Sequence, residues 1–217
     1  GSSDTGVTPT LSIEGAIADH TGNTFSSGSQ TASDNTAPVV TETVTRDADS
    51  DDSKADNGKI DQVQIKFSEE VNLNDGGGDG IPGISLTNDE MEIASEDYSD
   101  GSAVTVDLKN EVSGTSATTG VSYSQSNGDV NDQSSSSHEL LESSDQVTKT
   151  DGAAPVVTEF EVEEGSRKAS VMFSEEVNAG QGTPITDGDL SYTDDSGSSQ
   201  GLSSVSHIAG TDQATVI

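Results

Sequence analysis

The residues best placed to do chemistry lie in one acidic stretch, Asp47-Ala48-Asp49-Ser50-Asp51, which runs on through Asp56-Asn57-Gly58 to Asp61. Calcium takes about six to eight oxygen ligands at about 2.3–2.6 Å, and carboxylates at alternate positions of a tight loop can aim at one point. Asp47, Asp49 and Asp51 have that spacing. Asp56, Asn57 and Asp61 can close the shell around a turn at Gly58. The twelfth position from Asp47 is Gly58 and not a glutamate, so the loop is no EF-hand. Calcium at these six residues is the expectation, with no organic cofactor. The competing reading is a solvated acidic hairpin loop, common in an acidic chain.

Catalytic signals are thin. The chain has no His-Glu-x-x-His, no Gly-x-Ser-x-Gly and no phosphate-cradling glycine loop. Glu69-Glu70 and Glu175-Glu176 suggest paired carboxylates, but neighbours on a strand point to opposite faces. Their recurrence fits a structural or cation-contact role. His20, His138 and His207 sit in unrelated contexts, and there is no cysteine for disulfide or thiol chemistry. No catalytic residue is assigned, and the chain reads as non-enzymatic. Gly76-Gly77-Gly78-Asp79-Gly80 reads as a hairpin tip.

The organisation that positions these residues is repetitive. Ala37-Pro38-Val39-Val40-Thr41-Glu42 returns as Ala154-Pro155-Val156-Val157-Thr158-Glu159, an offset of 117 residues (154 − 37). Phe67-Ser68-Glu69-Glu70-Val71-Asn72 returns as Phe173-Ser174-Glu175-Glu176-Val177-Asn178, an offset of 106 (173 − 67). Two blocks in the same order, whose spacing differs by one 11-residue insertion (117 − 106), mark a tandem module. A third correspondence sets Thr5-Gly6-Val7, Gly15-to-Asp19 and Asp34 against Thr119-Gly120-Val121, Gly128-to-Asp132 and Asp151. The expected layout is the terminal strand region of one module at 1–35, a complete module at 36–150 and an incomplete one at 151–217.

Forty acidic against eight basic residues give a net charge of −32, and the acids are spread over the whole chain. Such a surface repels itself over about 10 Å at ordinary ionic strength and about 3 Å in molar salt. That is the pattern of a protein adapted to saturating salt, from a haloarchaeon or another extreme halophile. It also excludes nucleic acid and anionic membrane surfaces as partners. No apolar run approaches the roughly 18 residues of a membrane span, so direct insertion is not expected. No Asn-x-Ser/Thr sequon occurs, while abundant Ser and Thr leave O-glycosylation open.

The local pattern is β throughout. Val63, Ile65 and Phe67 alternate with polar neighbours, and Ala169, Val171 and Phe173 keep the same register in the second copy. Shorter alternations occur at Val39-to-Val44, Val104-to-Leu108, Val121-Ser122-Tyr123 and Ala214-to-Ile217, with Gly, Asn, Asp and Ser clusters between them. Short strands in a module of about 115 residues predict an all-β fold of tandem Greek-key β-sandwiches. With only 28% apolar residues, each core has to be thin and to draw on salt, cations or neighbouring modules.

At these same residues the chain resembles the immunoglobulin-like repeats of large bacterial and archaeal surface proteins. The resemblance rests on the Ala37-Pro38-Val39-Val40 junction, Asn57-Gly58-Lys59-Ile60-Asp61, Phe67-Ser68-Glu69-Glu70-Val71-Asn72 and Ala16-to-Phe25 with its Asp19-His20-Thr21-Gly22-Asn23 loop. It covers essentially residues 5 to 217. It departs at Glu161-to-Ser166, which replaces the aspartate-rich turn, and at Asp132-Gln133-Ser134-Ser135, which replaces the Asp19 loop. The resemblance implies an extracellular, structural role in an S-layer, filament or adhesin stalk. The alternatives are a ligand-binding segment of a long adhesin array and an accessory module of a secreted enzyme. Partners are then neighbouring modules or other copies of the chain, joined head-to-tail. Val7, Leu11, Ile13, Ile17 and Phe25 are the candidates to fill the incomplete module by strand exchange.

Overall fold

The computed structural model describes residues 4–25, 27–48, 56–74, 80–94, 98–134, 137–144, 147–162, 164–179, 182–193 and 196–217. Asp49 and Asp51 of the expected calcium loop, and Gly76, Gly77 and Gly78, lie outside them. Among the described residues there is no helix, and eighteen strands are distributed over several sheets. The chain is all-β.

The first strands are short. β1 (Thr10–Ile13) pairs with β4 (Gly28–Thr31), enclosing the hairpin of β2 (Ile17–Ala18) and β3 (Thr24–Phe25). Nearly every side chain of this segment is exposed.

The next eight strands carry the main core. They are β5 (Val40–Arg46), β6 (Lys59–Asn72), β7 (Ile84–Leu86), β8 (Gly101–Ser113), β9 (Val121–Tyr123), β10 (Asn131–Asp132), β11 (Ser143–Ser144) and β12 (Thr148–Asp151). β6 is central: it pairs antiparallel with β5, β8 and β10, and β12 runs parallel to β5 on the outer edge. A second sheet, ordered β11-β9-β7, supplies the other side. The alternation of Val63, Ile65 and Phe67 buries these side chains against Val104 and Val106 of β8 and Val121 and Tyr123 of β9, in a sandwich-like core. Threonine takes part as well. Thr43 and Thr45 on β5 are buried, and each brings a hydroxyl into the interior, Thr43 donating its own to the Thr119 carbonyl. Tyr123 closes the far end: its hydroxyl donates to Glu139 Oε1 at 2.9 Å and accepts the Val130 N–H at 3.2 Å. Burial, with the carboxylate of Glu139 beside it, pushes that phenol up to about 12. The ring lies so close to Gly128 that an added Cβ would fall 2.4 Å from it, which only glycine permits.

The last six strands repeat the beginning of this arrangement. β13 (Val157–Val162), β14 (Ala169–Val177), β17 (Val205–His207) and β18 (Thr211–Val216) form a sheet ordered β13-β14-β18-β17, and β15 (Ser191–Thr193) pairs with β16 (Ser199–Gly201). The β13–β14 register reproduces that of β5–β6, including the irregularity. Val40 faces Phe67 and Glu42 faces Lys66, skipping Thr41, just as Val157 faces Phe173 and Glu159 faces Met172, skipping Thr158. A β-bulge kept at the same place in both copies is a property of the repeated sequence. The second copy's interior is smaller, with Val171, Val177, Ile185, Ala214 and Val216 buried but Val157, Phe160, Val162 and Tyr192 half or more open to solvent or close to it.

Candidate functional site

The two sequence repeats meet their preceding segments through one polar arrangement that occurs twice. At the first junction Ser68 donates its N–H to the Val39 carbonyl at 2.9 Å, while its Oγ accepts the Val39 N–H at 3.0 Å. At the second, Ser174 does the same with Val156, at 2.9 and 3.0 Å. A threonine from the preceding segment then lands on the serine and the adjacent glutamate. Thr5 Oγ1 lies 2.7 Å from Ser68 Oγ and donates to Glu69; Thr115 Oγ1 lies 2.8 Å from Ser174 Oγ and donates to Glu175 at 2.8 Å. The linker acid folds over its own turn in both cases, Asp34 Oδ1 accepting the Thr36 N–H and Asp151 Oδ1 the Ala153 N–H. Gly58 sits against the second junction at φ +84°, and an added Cβ would meet the Val156 side chain at 2.9 Å.

These contacts correct one correspondence drawn from sequence. Thr5 occupies the place of Thr115, not of Thr119, whose carbonyl serves Thr43 instead. The six-residue step from Thr5 to Leu11 then matches that from Thr115 to Val121. Asp19 keeps its match with Asp132. Asp19 Oδ1 accepts from the N–H and hydroxyl of Thr21 and the N–H of Asn23, and Asp132 Oδ1 accepts from the N–H and hydroxyl of Ser134 and the N–H of His138.

Carboxylates gather at the first junction. One oxygen each of Asp34, Glu69 and Asp132 lies within 4.8 Å of the others. Three acids so close can hold a cation or share a proton. Burial, with Asp34 and Asp132 nearby, holds the Glu69 carboxyl above its usual range, and burial with Asp151 nearby does the same to Glu175. Asp132 is also buried, yet hydrogen bonds from His138 and Ser134 hold it low. Glu70 and Glu176 are exposed, so each Glu-Glu pair divides between inside and outside.

The sign of the pH effect follows. A carboxyl raised in the folded state contributes stability that is fully present below its unfolded value and lost as pH rises through the raised value. Glu69 and Glu175 act in that sense, and Glu42 and Asp132, both lowered, act oppositely. The double variant Glu69→Gln/Glu175→Gln should therefore be more stable than the parent at pH 7 in low salt, on the order of 1 kcal/mol. A glutamine still accepts from threonine and no longer repels the linker acid. Thermal melts between about pH 4 and pH 7 should show the parent losing more stability than the variant; parallel curves would show that these acids are not strained.

The expected calcium residues are placed differently. Asp47 and Asp61 are both buried. Asp47 accepts the N–H groups of Asn57 and Gly58 at 3.2 and 2.7 Å, and Asp61 accepts the Ala48 N–H at 2.9 Å. Asp56 is exposed at φ 55°, and Asn57 donates to Glu111 while its buried Oδ1 has no partner among the described residues. Two of the six residues thus close the turn. The histidines serve local structure: His138 Nδ1 contacts Asp132 at 2.9 Å, His207 Nδ1 accepts the Ile185 N–H, and His20 is exposed. Among the described residues no helix is long and apolar enough to cross a membrane. Comparison with protein families, curated proteins and solved structures finds no match for this chain.

Proposed function

We propose that this chain is a non-enzymatic structural segment of an extracellular assembly of an extreme halophile: a filament, S-layer or stalk of tandem immunoglobulin-like Greek-key β-sandwiches. The single observation that carries this reading is the junction built twice from the same residue types in the same hydrogen-bond pattern. A threonine–serine–glutamate contact with a capped linker aspartate fixes where one repeat meets the next. That is what an extended array needs, and it asks nothing of a substrate. The −32 charge supports the reading, since it keeps a long array soluble in brine. So does the resemblance of the Ala-Pro-Val-Val and Phe-Ser-Glu-Glu motifs to surface-protein repeats. Antibody labelling of the producing cell tests it: label should sit outside the cytoplasmic membrane, and recovery in the cytosolic fraction would overturn the proposal.

Calcium at the Asp47–Asp61 turn belongs to the same proposal, supported by the two buried carboxylates of Asp47 and Asp61 and by an Asn57 Oδ1 that is buried with no partner among the described residues. Calcium bound to the folded state alone should stabilise it by about 2.7 kcal/mol at a hundredfold excess over Kd. Titration at fixed ionic strength should raise the melting midpoint in the parent and less in Asp61→Asn. An unchanged midpoint in the parent would remove the metal.

A further inference from the structure

From the contacts around Gly58, we infer that the Asp47–Asp61 turn of the first repeat is a seat that holds the following repeat in one orientation, with Asp47 pinning the seat in place. This rests on the tandem-repeat reading above and adds to it what sets the stiffness of a junction.

Two glycines shape the seat. Gly58 is buried at φ +84°, and a Cβ there would lie 2.9 Å from Val156 Cγ2, 3.1 Å from Thr158 Cγ2 and 3.2 Å from Ser174 Cβ, all atoms of the second repeat. Carbon atoms in ordinary contact stand about 3.5–4.0 Å apart. Gly114, at φ +83°, donates its N–H to the Gly58 carbonyl at 3.2 Å, and its own Cβ would lie 3.2 Å from the Ser174 carbonyl oxygen. Both the backbone conformation and the close approach call for glycine at these two places. Bare backbone from the turn and from the end of β8 thus meets Val156, Thr158 and Ser174, and Thr115 beside it reaches Ser174 and Glu175.

The turn stands there because buried carboxylates pin it. Asp47 accepts the Gly58 N–H at 2.7 Å and the Asn57 N–H at 3.2 Å, and Asp61 accepts the Ala48 N–H at 2.9 Å. Charged acceptors make these the stronger kind of hydrogen bond. Glu111 accepts from Asn57 Nδ2 and from Lys59 Nζ, each at 2.8 Å. The linker is tied to the same strand end. Gly152 donates its N–H to the Thr45 carbonyl at 3.1 Å, and a Cβ on it would fall 2.4 Å from Val44 Cγ1. Thr45 and Asp47 therefore hold the chain that leaves the first repeat and the surface that receives the second.

The contact is slight, with Val156 half-buried and Thr158 exposed. Neighbouring units with so little buried between them swing by default, so the few close atoms decide the orientation. The face that the seat reads is one both repeats carry. Val39, Thr41 and Ser68 repeat Val156, Thr158 and Ser174, with the same serine–valine hydrogen bonds. The seat is not common to both: the second repeat has eleven fewer residues between its motifs (117 − 106), with Glu161-to-Ser166 in place of the aspartate-rich turn. The partner is then any repeat with that valine–threonine–serine face, and the turn of the repeat ahead of it sets how firmly it is held.

Double electron–electron resonance on the whole chain tests this, with spin labels on Thr105→Cys and Gln213→Cys. Both positions are exposed, one in each repeat, and the chain has no native cysteine. In about 3 M salt the labelled parent should give one narrow distance distribution. Gly58→Ala, which drives a carbon into Val156, and Asp47→Ala, which frees the turn, should each lose it and give a broad one. Gly80→Ala should keep it: Gly80 has φ +78° and so the same backbone strain, but its Cβ would meet nothing closer than 3.6 Å. Hydrogen exchange at Val63 and Ile65, and at Val171 and Ala214, reports whether each repeat stays folded. If Asp47→Ala loosens the first repeat itself, Gly58→Ala decides. A broad distribution in the parent, a narrow one in Gly58→Ala, or equal broadening in Gly80→Ala would overturn the inference. Fast exchange at Val63 and Ile65 in both Gly58→Ala and Asp47→Ala would overturn it too, by assigning these residues to the fold of the first repeat. Slow exchange at both pairs in a parent with a broad distribution rejects the seat alone, and fast exchange at either pair in the parent rejects the tandem-repeat reading with it.

Discussion

Transfer from about 3 M to about 0.1 M potassium chloride should lower the unfolding midpoint of this chain by roughly 10 °C or more. The accessible surface of 12613 Å² divided among 40 acidic residues gives about 315 Å² each, a mean spacing of about 18 Å. At that separation in water a like-charge pair repels by about 0.2 kcal/mol before screening. A Debye length of about 10 Å leaves a few hundredths of this per pair, and one of about 3 Å or less leaves almost none. Summed over roughly a hundred neighbouring pairs, the difference is a few kcal/mol, comparable to the whole stability of a thin-cored repeat. Eight cations cannot offset it: Lys59–Glu111, Lys66–Glu42 and Lys109–Glu92 are surface pairs, weakened by solvent and by salt. Melting followed by circular dichroism in potassium chloride, against an uncharged osmolyte at equal osmolality, measures the effect. A midpoint indifferent to salt would sink the electrostatic reading, and an osmolyte that replaces salt would assign the gain to excluded volume.

Strand identity was legible wherever one face of a strand is buried. The alternation at Val63, Ile65 and Phe67 is enough to place β6 and its copy β14, because period two is the only pattern that puts all three side chains in one core. β5 was harder to orient, since its inward positions are Thr43 and Thr45 and sequence alone does not distinguish a buried threonine from a solvated one. The bulges were hidden as well: between Ile60 and Gln62 the β6–β8 register shifts, setting the four residues 108–111 of β8 against the single Asp61. At the candidate site, the repeated Ser68-Glu69 and Ser174-Glu175 and the repeated linker acids Asp34 and Asp151 were visible as copies. Their meeting was not, because it joins residues far apart in the chain, 63 positions from Thr5 to Ser68 and 98 from Asp34 to Asp132. The signal that pointed there was recurrence of acids beside a junction proline. The run at Asp47–Asp61 is the denser acidic signal in the sequence, yet two of its carboxylates hold backbone N–H groups of the turn.

Ile65→Ala should destabilise the first repeat by about 2–4 kcal/mol, while the matching change in the second repeat, Val171→Ala, should cost about half as much. Ile65 is fully buried, flanked on the sheet by Thr43 and Val104, with a second sheet above it. Removing three carbons there leaves a cavity that close-packed neighbours cannot collapse to fill. Val171 holds the same register, flanked by Phe160 and Ala214, but Phe160 is half exposed and the cleft beside it is already open. A side chain at such a site has fewer contacts to lose, and less of a closed cavity remains when it is shortened. Calorimetry should resolve two transitions, the lower belonging to β13–β18, and each substitution should move only its own. For a repeat of this size 2–4 kcal/mol corresponds to a fall of roughly 10–20 °C in the upper midpoint. An Ile65→Ala cost below about 1 kcal/mol would refute the buried core around β6. If either substitution moves both transitions together, the Thr115–Ser174–Glu175 junction couples the repeats into one cooperative unit.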